Sequence, residues 1–197
     1  YDIGVAHEAL AEPEEAAAAW WRHLESFPRS LWAAQALKRV YETLGDAEAA
    51  SRFAVFARSL EPPMVIAKPA TRFIQVRGIA PLQGAHSPGG TVPIRVWFLF
   101  LDTFLQEEAP QARFSLAATG PKAEFVPKPV ASVPERIGVG PFWRGDCNAQ
   151  PFALALPENL RPGEYEIRLA LGPDYSEEVV LGRVKVHAAP SGEGPAS

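Results

Sequence analysis

The hydrophobic pattern of this chain changes its period near residue 62, and this change constrains the possible folds most strongly. Up to residue 61 the sequence is rich in Ala, Glu, Leu and Arg, and its apolar residues recur at the spacing of amphipathic helices. From about residue 69 apolar and polar residues alternate, and Gly and Pro turns separate the runs. The pattern therefore predicts a two-domain chain, all-α followed by all-β.

The predicted boundaries follow the same pattern. We expect a helical region at 1–62, a Pro-rich linker at 63–69 that fixes the relative orientation of the domains, a β-sandwich at 70–188, and a flexible tail at 189–197. Short strands are predicted at 71–77, 91–101, 113–118, 123–126, 152–156, 164–171 and 179–187. Because no helical stretch lies between them, the sequence favours an antiparallel, immunoglobulin-like sandwich over a parallel sheet.

Charge and hydropathy exclude two classes of protein. Lys and Arg number 19 against 23 Asp and Glu, and the net charge of -4 argues against a nucleic-acid partner. Residues 1–61 hold ten acidic and six basic residues, so all of this net charge lies in the helical region. The longest apolar run, 96–101, is far shorter than the ~20 residues of a membrane helix, so no transmembrane segment is predicted in this chain.

Because the chain begins at Tyr1 and its one methionine is Met64, we expect a processed protein or an excised piece.

The sequence predicts neither catalysis nor a bound metal or cofactor. No CxxC, HExxH, GxSxG or P-loop motif is present, and Cys147 is the one cysteine. Metal sites need convergent ligands, but the four histidines are far apart in the sequence, at His7, His23, His86 and His187. We therefore expect no catalytic, cofactor-binding or metal-binding residues, and a protein that is not an enzyme or is at most the accessory domain of one.

The helical region carries a resemblance to a repeat family. Pro28 and Pro62 end successive helical pairs, and a set of small, aromatic and turn residues follows the spacing of the tetratricopeptide repeat at Leu37, Tyr41, Gly45, Ala50, Ala54, Ala57 and Pro62. The region resembles that family over about one and a half repeats. Ala34 replaces the family's tryptophan and His23 replaces a small residue, so a plain helical hairpin that caps the next domain remains the alternative.

The resemblance implies a partner-binding face on the helix that begins at residue 31. In the repeat register this inner face would hold Trp32, Gln35, Arg39 and Glu42, and their 3-4-3 spacing places them on one stripe. The alternative is that the stripe packs on the sandwich of the same chain. Trp21 is a further partner-binding candidate, because Trp20 and Trp21 point about 100° apart on a helix and cannot both face one core.

The second half resembles another family. Its motifs are SPGGT at 87–91 followed by IRVW at 94–97, FWRGD at 142–146, and LPENLRPGEY at 156–165. They are similar to the C-terminal extracytoplasmic sandwich of bacterial membrane glycosyltransferases and related envelope proteins. The resemblance implies a bacterial module on the periplasmic or outer side of a membrane, and it implies that the Arg-Gly-Asp triplet is a turn rather than an adhesion motif.

Two functions remain open. The first is a non-catalytic protein-interaction or structural subunit of a bacterial membrane-associated or envelope complex, with a membrane protein complex as its partner. The second is a carbohydrate-contacting accessory domain of a membrane glycosyltransferase, in which Trp143 is the candidate glycan contact. Packing of Trp143 in the core or at an edge is the alternative to that role, and we expect Trp97 to fill the core.

Overall fold

A helical region is followed by antiparallel sheets, as the sequence predicts. The computed structural model describes residues 2–103, 110–119, 143–172 and 177–188, and the backbone alone at 135–136. Its helices are α1 (Asp2–Ala9), α2 (Pro13–Ser26), α3 (Leu31–Thr43) and α4 (Ala47–Leu60). Its strands are β1 (Met64–Pro69), β2 (Ile74–Ile79), β3 (Thr91–Phe100), β4 (Gln111–Ala118), β5 (Glu135–Arg136), β6 (Cys147–Ala155), β7 (Gly163–Leu171) and β8 (Glu178–Val186).

Local capping residues set the helix boundaries. Pro13 is the first residue of α2, where a missing N–H costs nothing. The Ser30 and Asp46 side chains cap α3 and α4 by accepting hydrogen bonds from Ala33 N and Ala49 N. Gly45 has a φ of +76° and follows the end of α3. The first residues of α2 and α4, Pro13 and Ala47, are as far apart in the sequence as the last residues of these helices, Ser26 and Leu60. The last residues of α1 and α3, Ala9 and Thr43, are separated by the same number of residues.

The strands form two antiparallel sheets that share one apolar core. The strand orders are β1-β2-β3-β6 and β5-β4-β7-β8. Alternate residues point inward from both sheets, and the fully buried ones include Ile74, Phe98, Phe100, Phe114, Leu154, Ile167 and Leu169. We call residues 64–188 the β-unit and residues 2–61 the helical unit.

The region predicted as a linker, 63–69, contains strand β1 instead. β1 lies at the edge of its sheet, where proline is tolerated because an outward-facing N–H needs no partner. Gly78 of β2 lets β1 approach closely, since a Cβ there would clash with the Met64 carbonyl oxygen. The predicted strand at 123–126 and the predicted tail lie outside the described residues.

The helical unit packs on the β-unit through a third apolar cluster. Its buried members are Leu31, Ala34, Ala57, Leu99 and Cys147, and Trp97 packs against them. The prediction that Trp97 fills the core between the sheets is therefore wrong. Because the neighbouring residues in β3 point inward, alternation turns Trp97 outward, toward the helices.

The α2–α3 connection also pairs with the edge of the first sheet. Leu31 N–H donates to Gly145 O at 2.9 Å, and Cys147 N–H donates to Arg29 O at 3.0 Å. Ser30 and Asp146 thus form an antiparallel bridge beside the edge strand β6. Among the described residues, no helix combines the length and the hydropathy that crossing a bilayer requires.

Candidate functional site

A cleft opens in the helical unit between α1, α2 and α3. It has a volume of about 280 Å³, and its lining consists of Val5, Glu8, Trp20, Trp32, Gln35 and Arg39. We call it the tryptophan cleft. Three of the predicted partner-binding residues, Trp32, Gln35 and Arg39, lie together here.

Glu8 is the polar centre of this cleft. Trp20 Nε1 donates a hydrogen bond to Glu8 Oε1 at 2.6 Å, and Arg39 Nη2 donates to Glu8 Oε2 at 3.2 Å. The Glu8 side chain is 27% exposed, whereas the Arg39 side chain is 57% exposed. The buried indole therefore anchors the carboxylate from within, and Arg39 contacts it from the solvent side.

A second cleft lies on the other side of this ion pair. It has a volume of about 350 Å³, and its lining consists of Glu8, Ala11, Glu12, Pro13, Arg39, Val40 and Thr43. We call it the glutamate cleft. Because Glu8 and Arg39 line both clefts, their ion pair forms the partition between them.

Trp32 and Gln35 also contact residues outside the helical hairpins. The Arg144 guanidinium carbon lies 5.6 Å from the centroid of the Trp32 ring. Gln35 Nε2 donates to Glu61 Oε1 at 3.3 Å, and Arg77 Nη2 of β2 donates to the same oxygen at 2.8 Å. The stripe predicted from the repeat register is thus shared between the cleft and the junction with the β-unit.

Glu42 and Trp21 lie away from the cleft lining. Glu42 is exposed and accepts a hydrogen bond from Lys38 Nζ at 2.7 Å, one helical turn earlier. Trp21 is exposed, its Nε1 donates to the Tyr41 hydroxyl at 2.9 Å, and its ring packs edge-on against Phe53. These two candidates belong to other parts of the helical surface.

Trp143 lies where the two units meet. It is 37% exposed, and its ring centroid is 4.7 Å from that of Phe27 at the end of α2. The ring centroid of Phe27 in turn lies 4.7 Å from that of His23. Burial, with a smaller contribution from the positive N-terminus, lowers the pKa of His23 to about 4. Trp143, the candidate glycan contact, therefore packs one part of its ring against Phe27 and leaves another part open to solvent.

The Arg-Gly-Asp triplet forms a turn, as predicted. Asp146 N–H donates to Trp143 O at 3.0 Å, and the buried Gly145 between them has a φ of +89°. Burial raises the pKa of Asp146 to about 6, although a hydrogen bond from the Trp143 backbone and the charge of Arg29 oppose the shift. Burial likewise raises the pKa of Cys147 to about 12, so its thiol is poorly suited to nucleophilic chemistry.

Three residues of the tryptophan cleft, Val5, Glu8 and Trp20, escaped the sequence prediction. The sequence indicates only a core role for Trp20, and it predicts no role for Glu8. Helical spacing gives no signal for Glu8, because Glu8 belongs to α1 whereas the predicted stripe lies on α3. Within the described part of the chain, no group of three or more His, Cys, Asp or Glu side chains could hold a metal ion.

Comparisons with known proteins give distant similarities only. No protein-family model matches this chain, and no curated protein matches it. Among solved structures, a Niemann-Pick type C2 protein from Japanese carpenter ant is 6% identical, with a TM-score of 0.37 over 63% of this chain and 100% of that one. The C-terminal domain of wzt is 17% identical, with a TM-score of 0.34 over 63% of this chain and 83% of that one.

A third similar structure spans both units of this chain. It is the alkylpurine DNA glycosylase AlkC of Pseudomonas fluorescens, 14% identical, with a TM-score of 0.33 over 92% of this chain and 54% of that one. Because each of these three TM-scores is far below 0.5, the proposals that follow rest on the residues of this chain.

Proposed function

We propose that this chain is a non-catalytic protein-interaction module of a bacterial membrane-associated or envelope complex. The observation that carries the proposal is the tryptophan cleft, which brings Trp20, Trp32 and Arg39 to one concave surface. Tryptophan and arginine are the residue types that most often dominate binding energy at protein interfaces. Under this proposal the helical unit docks a protein partner outside the cytoplasm, and the β-unit holds the helical unit in place.

Helix positions support a tetratricopeptide-like assignment of the helical unit. The number of residues from the start of α2 to the start of α4 equals the length of that repeat. The end of α3 follows the end of α1 by the same number of residues. In such arrays each hairpin needs a neighbour to cover its apolar face. Here Ala57 of α4 packs on Leu99 and Cys147 of the β-unit, which takes the place of a neighbouring hairpin.

A side-chain hydrogen bond supports an immunoglobulin-like assignment of the β-unit. The Tyr165 hydroxyl, near the start of β7, donates to the Arg161 carbonyl oxygen at 2.8 Å. A tyrosine at a strand start that bonds to the backbone a few residues upstream is typical of immunoglobulin-like domains. The shared core of the two antiparallel sheets agrees with such a sandwich.

The proposed function is tested by filling the cleft. Val5 lines the tryptophan cleft and is 45% exposed, whereas Val55 lies on α4 outside both cleft linings and is 63% exposed. Val5→Trp should block the cleft without removing buried packing, and Val55→Trp is the matched control. Each variant is immobilised, and the proteins retained from a bacterial membrane extract are quantified by mass spectrometry.

Proteins that the native chain and Val55→Trp retain but Val5→Trp loses would support the proposal. Identical retention by all three proteins would contradict it. The melting temperature of each variant is measured first, so that loss of capture is not confused with loss of folding.

The partial exposure of Trp143 favours a second candidate, a carbohydrate-contacting accessory domain. An indole face that is partly open to solvent suits sugar stacking. A glycan array probed with the native chain and with Trp143→Ala tests this function, and Trp21→Ala replaces another exposed tryptophan as the control. Glycan signals that Trp143→Ala loses would favour the second candidate, and an array without signals would oppose it.

A further inference from the structure

We propose that the tryptophan cleft binds a cationic side chain, arginine or lysine, of its protein partner, and that this side chain replaces Arg39 against Glu8. The inference rests on the proposed protein-interaction function and specifies the chemistry of the partner. In the unbound chain, Arg39 occupies the position against Glu8 that the cationic side chain of the partner would take.

The ion pair is asymmetric, and this asymmetry decides which member leaves. Glu8 is fixed from inside by the 2.6 Å hydrogen bond from Trp20 Nε1, and it belongs to α1. Arg39 contacts it at 3.2 Å from a long side chain that is 57% exposed. A rotamer change can therefore release Arg39 into water without moving a helix, whereas displacing Glu8 would break the contact with the buried indole.

The charge of the helical unit favours a cation as the incoming group. Residues 1–61 carry ten acidic against six basic residues, while the rest of the chain is balanced at thirteen each. Once Arg39 turns outward, the charged side chains of the two cleft linings are the carboxylates Glu8 and Glu12, of which Glu12 pairs with His7. An arginine of a partner presents the same planar guanidinium and can take both oxygens of a carboxylate.

Removal of the partition also creates room for a peptide backbone. The tryptophan cleft and the glutamate cleft meet at the Glu8–Arg39 ion pair, and together they extend along α3 from Trp32 to Thr43. That length of helix spans about 16 Å, which matches the reach of an extended peptide of about five residues. Apolar side chains next to the cation would contact Val5 and Trp32 on one side and Val40 on the other.

The test uses fluorescein-labelled pentapeptides and the full chain. The probe is Leu-Arg-Leu-Arg-Leu, and the controls are Leu-Cit-Leu-Cit-Leu, in which citrulline replaces arginine, and Leu-Glu-Leu-Glu-Leu. Fluorescence anisotropy is measured with the native chain, Arg39→Ala, Glu8→Gln and Arg52→Ala. Glu8→Gln keeps an oxygen that can accept the Trp20 hydrogen bond, and Arg52 of α4 is an exposed arginine outside both cleft linings.

We expect Arg39→Ala to bind the arginine peptide about three- to tenfold more tightly than the native chain, because the competing guanidinium is gone. Glu8→Gln should weaken binding by about tenfold relative to Arg39→Ala, Arg52→Ala should match the native chain, and added salt should weaken binding in all cases. The citrulline peptide should bind more weakly than the arginine peptide.

Weaker binding of the arginine peptide by Arg39→Ala than by the native chain would overturn the proposal, as would preference for the glutamate peptide. Absence of arginine-peptide binding by both the native chain and Arg39→Ala would also overturn it. If Val5→Trp still abolishes capture of a protein partner in that case, the proposed function stands and only the cationic chemistry is rejected.

Discussion

Gly145 touches Trp32 so closely that a Cβ added to the glycine would lie 3.2 Å from both Cβ and Cε3 of the tryptophan. The same added atom would lie 3.2 Å from Ser30 Oγ. Gly145 also has a φ of +89°, a conformation that side-chain-bearing residues rarely adopt. Glycine therefore suits this position, because any other residue would crowd Trp32 and Ser30 and strain the backbone of the turn.

Gly145→Ala should lower the free energy of unfolding by about 2–3 kcal/mol, because it adds a steric conflict at the junction to the backbone strain. Gly84→Ala is the control, since Gly84 has a φ of +92° but no heavy atom within 4 Å of the added Cβ. That control should cost only about 1 kcal/mol. Urea denaturation of both variants checks the difference, and equal losses would contradict the close packing at Trp32.

The ion pair at the end of α4 should contribute to holding the two units together. Arg77 Nη2 lies 2.8 Å from Glu61 Oε1, and the two side chains are only 22% and 29% exposed. Arg77→Met should therefore destabilise the chain by about 1–2 kcal/mol. Arg52→Met removes a pair at 3.6 Å whose side chains are 72% and 84% exposed, and it should change stability by less than about 0.5 kcal/mol. Thermal denaturation at low and high salt compares the two, and similar losses would argue against a stabilising role of the Arg77–Glu61 pair.

Two partly buried groups near the junction, Asp146 and His23, should give opposite pH dependences of stability. The pKa of Asp146 is raised from 3.8 to about 6, so the folded state binds its proton more tightly and stability falls as the pH rises through this interval. The pKa of His23 is lowered from 6.5 to about 4, so the unfolded state binds its proton more tightly and stability rises as the pH rises. Between about pH 4 and 6 the two contributions therefore oppose each other.

Single substitutions should separate them. Asp146→Asn should raise the free energy of unfolding at pH 7.5 by about 1 kcal/mol, after allowance for solvent screening, and should leave a stability that climbs from pH 4 to 6.5. His23→Phe should leave a stability that declines from pH 4 to 6. Urea denaturation across this pH range measures both slopes, and parallel profiles for the two variants would refute the assignment.

The hydroxyl of Tyr165 should stabilise the β-unit. Tyr165→Phe removes the 2.8 Å hydrogen bond to Arg161 O while keeping the buried ring, so we expect a loss of about 1 kcal/mol. Tyr41→Phe removes a hydroxyl from a partly exposed site on the helical unit, where water can replace it, and should cost less. Denaturation midpoints compare the two, and an unchanged midpoint for Tyr165→Phe would show that the bond contributes nothing to stability.

Features that depend on neighbouring residues in the chain were predictable from sequence. The ends of the helices follow from the capping chemistry of Pro13, Gly45 and Asp46, which lie beside them in the sequence. Alternation located most strands, but it did not show which side of β3 would meet the helices. Trp97 was misplaced because it lies in the apolar run 96–101, although it alternates in phase with the exposed Thr91, Pro93 and Arg95 of the outer face.

Features that depend on contacts between distant segments could not be predicted. The prolines around β1 are typical of a linker. The segment forms an edge strand because Gly78 of β2 lets Met64 approach closely and pair with that strand. In the cleft, Trp32, Gln35 and Arg39 were grouped by helical spacing alone. Glu8 joins them only because α1 folds across α2, and helical spacing does not record that contact.

Attachment of the helical unit at two separate points has a mechanical consequence. One connection is the covalent passage from α4 into β1, and the other is the backbone pairing of Ser30 with Asp146 beside β6. A body fastened at a single point can swivel, but two backbone connections together with the apolar cluster around Leu99 restrain such rotation. Torque applied to the helices would therefore pass into the first sheet, through β1 at one edge and beside β6 at the other.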